Sequence, residues 1–265
     1  MIESVLHTGL APASLAVFCY MTTLFVIAQL KKDNGIVDIA WGPGFALIIW
    51  VINPNPADWS IGQWVINLAV HFWAIRLAWS IGSRNLGAAE DWRYANWRKE
   101  WGKWVVVRSF LQVFMLQGFF MLVIALPVII MNSLNTDIQS FPLLLPGIMV
   151  FVFGLAFETI GDFQKSAFKS DPANSGKILQ SGLWSVTRHP NYFGEAVLWW
   201  GIWLMTLGLP WLLVAIALVS PITINYLLRY VSGVPMTEEK YEGNEEFEAY
   251  KKEVPPFIPK LPWRD

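Results

Sequence analysis

The sequence predicts an all-α polytopic membrane protein, with seven transmembrane helices, the N-terminus outside and the C-terminus in the cytoplasm, forming one integral membrane domain over residues 1–265. Three observations carry this. Hydrophobic residues make up 55% of the chain against 15% charged, with 16 Trp, a balance outside the range of soluble domains. Apolar runs that approach the roughly 20 residues needed to cross hydrocarbon recur near 12–30, 36–52, 62–82, 105–131, 142–161, 194–209 and 211–231. Lys and Arg, finally, are segregated between alternate loops.

The runs can be justified in order. No Lys or Arg precedes the first and no small-residue cleavage site follows it, so it is expected to remain as a helix rather than leave as a signal peptide. It holds Cys19, the single cysteine, which rules out an intrachain disulfide and a Cys-based metal site. The second run is short and carries Asp38, with Trp41, Gly42 and Phe45 on the same face. In the third, Trp73, Arg76, Ser80 and Arg84 recur at helical spacing. A guanidinium inside a bilayer is expensive and faces a partner or a cavity, and Asp38 is the expected partner of Arg76. Such a pair could be structural or part of a site.

On the fifth run, Glu158, Asp162, Lys165 and Lys169 fall on one stripe as the helix leaves the membrane. They read either as ordinary pairs at a helix end or as a ligand site, with Asp162 accepting from an amide or ribose and the lysines meeting phosphate. The sixth and seventh runs are joined only by Gly208, Leu209 and Pro210, which predicts a tight helical hairpin or a strongly kinked pair.

Orientation follows from charge. Segments 1–30, 53–61, 132–141 and 208–210 hold no Lys or Arg. Outside the spans, the basic residues fall at 31–32, 84–103, 165–188 and 240–264. The positive-inside rule then needs an odd number of spans. It also puts the three long polar segments (83–104, 162–193 and 232–265) on the cytoplasmic side, where function is expected.

These segments interleave aromatic residues with both signs of charge, Glu90, Asp91, Glu238, Glu239, Glu245 and Glu246 among them. That mixture suits a nucleotide-like ligand better than a plain lipid surface. A net charge of −1 carries no nucleic-acid signal, and His7, His71 and His189 are too scattered for a metal cluster. GxGxxG and P-loop motifs are absent, so loops and helix ends must hold any nucleotide.

The densest polar constellation is ILQSGLWSVTRHPNYFGE at 178–195, where Arg188, His189, Asn191, Tyr192 and Glu195 stand beside a Trp-rich apolar run. An interfacial belt would explain the aromatics, but it has no use for a carboxylate one turn into the helix. Desolvation there favours the neutral, donating form of Glu195, fit to polarise a carbonyl, while Tyr192 could supply a second donor or a proton. Trp41, Phe45, Trp73 and Trp199 are expected to wall an apolar pocket for a flat lipophilic ligand entering from the bilayer.

GLWSVTRHPNYFGE, DFQKSAFK, RNLGAAEDWRY, LLRYVSGVPMTEEKY and YKKEVPPFIP together resemble the membrane reductases of the steroid 5α-reductase family, in their bacterial branch, over about residues 35–262. The resemblance implies a monomeric, multi-pass enzyme of the bacterial inner membrane, surrounded by lipid, that uses NADPH to reduce the carbon–carbon double bond of a lipophilic enone such as a 3-oxo-4-ene steroid. It implies that Asn191, Asp162 and Lys169 hold the cofactor and that Glu195 faces the substrate ketone. It suggests roles around the cofactor for Arg84, Asn85, Arg93, Tyr94 and Arg229 as well, and Lys165, Arg188, His189, Glu239 and Tyr241 complete the expected cofactor-binding set. Asn225 stands where eukaryotic relatives have a cofactor-binding Arg, and their substrate-facing Gln has no match; Arg229 and Asp38 are expected to cover these jobs, which adds Asp38 to the catalytic and substrate-binding residues. The same tail also resembles the isoprenylcysteine methyltransferase family, which binds S-adenosylmethionine, and this gives the alternative function.

Overall fold

The computed structural model describes residues 1–85, 87–134 and 141–260; Leu86 of the RNLG segment, most of the 132–141 loop and Arg264 lie outside the described residues. All regular structure among the described residues is helical. Among the described residues five helices are long and apolar enough to cross a membrane: α1 (Ile2–Lys31), α3 (Ile61–Asn85), α4 (Trp92–Ile124), α6 (Phe141–Ser170) and α8 (Trp211–Tyr241). Between them come α2 (Ile36–Ile52), an apolar helix of 17 residues, α5 (Leu126–Ser133), and α7 (Pro190–Leu204) of 15 residues, with α9 (Glu245–Glu253) last.

Each expected run falls mainly in helix, and several boundaries differ: α1 already starts at Ile2, α8 runs on to Tyr241, and the 105–131 run is broken at Ala125 between α4 and α5. α4 begins at Trp92, so much of the expected 83–104 loop is helical, because Asp91 caps it by accepting from Arg93 N at 3.0 Å. α6 continues past residue 161 to Ser170. α7 starts at Pro190, where the fixed φ of proline suits a first helical turn, and ends at Leu204, ahead of the Gly208–Pro210 turn.

The chain divides into two compact units. The first comprises Met1–Leu144 with Met205–Ser220. Its core includes Val17, Met21, Phe45, Ile48, Ile66, Trp73, Phe114 and Met121, all buried. α2 and α3 touch closely at Gly42, where a Cβ would meet Ala74 O at 2.7 Å. Several buried polar groups in this unit are paired with one another. Asn67 and Asn132 exchange side-chain amide hydrogen bonds of 2.9 and 2.8 Å, and Gln63 donates to Met131 O and Leu134 O. Between α1 and α2, Lys32 takes a left-handed conformation (φ 56°), and Asn34 then donates from its backbone to Glu90 and from its side chain to Ser109, each at 2.9 Å. Glu90 in turn receives the Arg98 guanidinium at 2.8 and 3.0 Å. Partial burial pushes the Glu90 carboxyl up, but the Arg98 fork and the Asn34 N–H outweigh it and hold it below its ordinary 4.5.

The second unit comprises Leu145–Leu204 with Pro221–Asp265. Glycines let the backbones of α6 and α7 meet: a Cβ at Gly154 would stand 2.5 Å from Leu198 N, one at Gly194 2.4 Å from Glu158 N, and one at Gly201 2.4 Å from Phe151 N. This close crossing buries Glu158 and Glu195, at 2% and 8% exposure.

Candidate functional site

A cavity of about 500 Å³ opens in the second unit, lined by the end of α6, the 171–179 loop, Trp184, Arg188, His189 and the segment from Thr237 to Tyr250. Local chemistry shapes each wall. After Ser170, Asp171 caps a short turn by accepting from Ala173 N at 2.9 Å, and Gly176 (φ 78°) reverses the chain. Gln164 accepts from Leu183 N at 2.9 Å, and the Trp184 indole donates to Gly161 O at 3.1 Å, which fastens the Gly182–Ser185 turn to α6. Lys165 Nζ then lies 5.3 Å from the Trp184 ring centre, a cation–π distance.

The tail closes the opposite wall. Asn244 caps α9 through Phe247 N, with Glu245, Glu246 and Glu248 in its first turn and Lys251 and Lys252 in its last, as the helix dipole favours. Phe247, Tyr250 and Val254 form a small core with Ile178 and Tyr241, in which Tyr241 stacks on Phe247 at 4.7 Å. Arg188 N donates to Pro255 O, Lys260 N to Val186 O and the Thr187 hydroxyl to Phe257 O, all at 2.8–2.9 Å, while the Tyr250 phenol donates to Trp184 O. Burial pushes that phenol well above its ordinary 10, so it stays a neutral donor.

Glu238 organises the polar centre of the cavity. Its Oε1 accepts from Arg188 Nε at 2.8 Å and faces His189 Nε2 at 2.9 Å, and its Oε2 accepts from Arg188 Nη2 at 3.2 Å. Arg188 also donates to Val254 O at 2.6 Å. The His189 ring lies flat on Tyr192 (5.2 Å between centres, 6° between planes), and Tyr192 Oη shares a 2.8 Å hydrogen bond with Thr237. Burial lowers the His189 pKa below its ordinary 6.5; Glu238 pulls the other way without reversing this. The ring is therefore neutral near pH 7.

Of the residues singled out in the sequence, Lys165, Lys169, Arg188, His189 and Tyr241 come together around the cavity. Tyr192 adjoins it through His189 and Thr237. Asp162, Asn191, Glu195, Trp199, Arg229 and Glu239 belong to the same unit but do not line the cavity, and Glu239 is exposed. The Asn191 side-chain oxygen is buried and has no hydrogen-bond partner among the described residues. The sequence missed Trp184, Lys177, Thr237, Glu238 and Lys240 as lining residues. Of the neighbouring acids Glu238 and Glu239, the helical turn presents Glu238 to the cavity and leaves Glu239 exposed.

Asp38, Arg84, Asn85, Arg93, Tyr94, Trp41, Phe45 and Trp73 belong to the first unit. There the expected partner of Asp38 needs correction. The groups that bind it are Arg93 Nη2 at 2.9 Å and the Tyr94 phenol at 2.7 Å, where the sequence pointed to Arg76. The reason is local: Asp91 caps α4 and holds Arg93 Nε at 2.9 Å, which leaves Nη2 of the same guanidinium aimed at Asp38. Phe45 packs edge-on between Trp41 (5.5 Å) and Trp73 (5.1 Å), forming a buried aromatic cluster. Arg84 is exposed at the end of α3, next to Asn85.

No solved structure matches the chain. A stretch of 51 residues is 41% identical to the probable O-methyltransferase ustE of Ustilaginoidea virens, covering 19% of this chain and 18% of that protein, so the chain spans less than a fifth of this relative. The model of the family described as "Protein of unknown function (DUF1295)", which is related to steroid 5α-reductase-like membrane proteins, matches residues 24–254. Matched over most of its length, and carrying the apolar helices of a multi-pass membrane protein, the chain belongs to the DUF1295 family.

Proposed function

We propose that the protein is an NADPH-dependent reductase of the carbon–carbon double bond of a lipophilic enone, a steroid-like or other flat lipid taken from the bilayer. The observation that carries this reading is the second unit's cavity, where Lys165, Lys169, Lys177 and Lys240 share the lining with Trp184, Tyr241 and Phe247. Ammonium groups beside aromatic faces suit a ligand that has phosphates at some positions and rings at others. About 500 Å³ is a fair size for much of a nucleotide.

The residues present fit the cofactor. Lys165, Lys169, Lys177 and Lys240 would meet phosphate, and the buried, unpartnered Asn191 oxygen offers an acceptor for an amide or hydroxyl. NADPH supplies hydride when bound. Arg188 is committed to Glu238 and Val254 O, so its part is to hold the cavity wall. Glu195, buried on α7, would hold a proton toward the developing enolate oxygen, and Tyr192, fixed by Thr237, would deliver one to carbon. We place seven spans across the membrane of a bacterial cell, with α2 and α7 as the short ones and this cavity on the cytoplasmic side. The support is the segregation of Lys and Arg.

The stretch shared with a probable O-methyltransferase favours a second reading, an S-adenosylmethionine-dependent membrane methyltransferase. That donor carries a sulfonium cation and no phosphate, which four lysines serve poorly. Trp184 in the wall makes the test direct. Titration of the purified protein with NADPH, NADH and S-adenosylmethionine, followed by tryptophan fluorescence, should show saturable quenching by NADPH at least about tenfold tighter than by NADH, one well-placed cation on the 2′-phosphate sufficing. Saturation by S-adenosylmethionine alone would replace the reductase with the methyltransferase.

A further inference from the structure

Glu238 makes two contacts of different kinds. With Arg188 it forms a forked ion pair that answers a buried cation. With His189 it faces only Nε2, at 2.9 Å. A carboxylate can only accept, so Nε2 must carry the hydrogen. In a neutral ring, Nδ1 is then a bare acceptor. His189 is 4% exposed, it lines the cavity, and among the described residues its Nδ1 has no hydrogen-bond partner. Stacking on Tyr192, itself tied to Thr237, fixes the plane of the ring. Position, tautomer and plane are thus all set by side chains, and one acceptor atom is left over.

We propose that Glu238 is a positioning residue which locks His189 in its Nε2–H tautomer, so that Nδ1 accepts a hydrogen bond from a neutral donor, a ribose hydroxyl or an amino group, on the nucleotide in the cavity. This rests on the nucleotide reading above and adds a second kind of recognition to it. The lysines select charge and would greet any phosphorylated ligand. His189 selects a hydroxyl or N–H at one point, and an acceptor that a bound ligand covers without donating to it is costly, so ligands lacking that group are rejected. Ring neutrality agrees with this, since burial holds the imidazole uncharged while Lys165 and Arg188 oppose a further cation beside them.

The test uses the full chain in lipid nanodiscs, labelled with nitrogen-15 at its three histidines and assigned by single His→Gln variants. Near neutral pH, without ligand, His189 should show one protonated and one bare ring nitrogen, with Nε2 the protonated one. Saturating NADPH should move the Nδ1 resonance in the direction of an accepted hydrogen bond and leave Nε2 in place. Glu238→Gln, whose amide can either accept or donate, should mix the two tautomers and weaken NADPH binding about tenfold, while Glu238→Asp should restore the single tautomer. Should loss of the ion pair to Arg188 prevent Glu238→Gln from folding, the ligand-free and ligand-bound spectra of the parent still decide. An Nδ1–H or doubly protonated His189 overturns the proposal, and so does NADPH quenching with an unmoved Nδ1 signal. No quenching by NADPH overturns the cofactor reading together with the ligand half of this one, and that result is told apart because the tautomer is read on ligand-free protein.

Discussion

Replacing Gly194 by Ala adds a single methyl group, yet its position fixes a large effect. The new Cβ would stand 2.4 Å from Glu158 N and 2.6 Å from Gly154 O, against the 3.4 Å at which ordinary contact begins. Both neighbours are backbone, so no side-chain rotation relieves the overlap, and α6 and α7 must part by about 1 Å. That much separation forfeits a substantial part of the dispersion along the whole crossing, and overpacking of this kind costs about 1–3 kcal/mol. Gly154→Ala meets Leu198 N at 2.5 Å and Gly194 O at 2.7 Å and forces the same gap. The double variant should therefore cost clearly less than the sum of the singles, because the second methyl enters space the first has opened. Thermal unfolding in detergent, followed by tryptophan fluorescence, should show each single variant melting about 2–12 °C below the parent, at about 2–4 °C per kcal/mol for a chain of this size. A Gly194→Ala protein that melts within about 1 °C of the parent, or a double variant whose shift equals the sum, would refute the close-crossing account.

Glu195→Leu should lower enone reduction about 10²–10³-fold, the cost of a lost oxyanion donor, with NADPH quenching unchanged; near-parental turnover would reduce the carboxylate to a structural role. Stability should fall on acidification in two windows. The unfolded chain takes a proton at His189 below pH 6.5, which the folded chain resists because burial lowers that pKa, so stability is lost as pH falls below 6.5. Glu90, held below 4.5, contributes stability above that value and loses it as pH falls further; a melting temperature that rose between pH 7 and 5 would contradict the His189 part. For topology, a fluorescent protein fused after Asp265 should glow and alkaline phosphatase fused there should be silent, and an active phosphatase would reverse the proposed orientation.

The helical architecture was legible because hydrophobic runs must satisfy their own backbone in lipid, so length and composition suffice to find them. Boundaries were less so. Trp92–Trp101 reads as loop on hydropathy, yet it is helix because Asp91 caps it and the following apolar turns propagate back into it. Within the site, Lys165, Lys169, Arg188 and His189 could be named because they sit on a helical stripe or in a dense motif. Glu238 and Trp184 could not, because their roles depend on contacts across 23 to 66 positions of sequence that no local spacing encodes. Asp38 shows the same limit. The cost of an intramembrane guanidinium pointed to Arg76 as its partner, while the bond to Arg93, 55 positions away, is made possible by a cap.

The reciprocal bonds between residues 184–188 and the 238–260 tail also set an order of assembly. The acceptors that neutralise Arg188 lie 50 to 66 positions downstream, at Glu238, Lys251 and Val254, and the hydroxyl of Thr187 waits 70 positions for Phe257. During synthesis α6 and α7 are therefore made while the guanidinium between them still depends on water or lipid phosphate. The pocket wall can be completed only once the tail has left the ribosome. A chain that ended just before residue 238 would keep α6 and α7 but present an unanswered cation at Arg188.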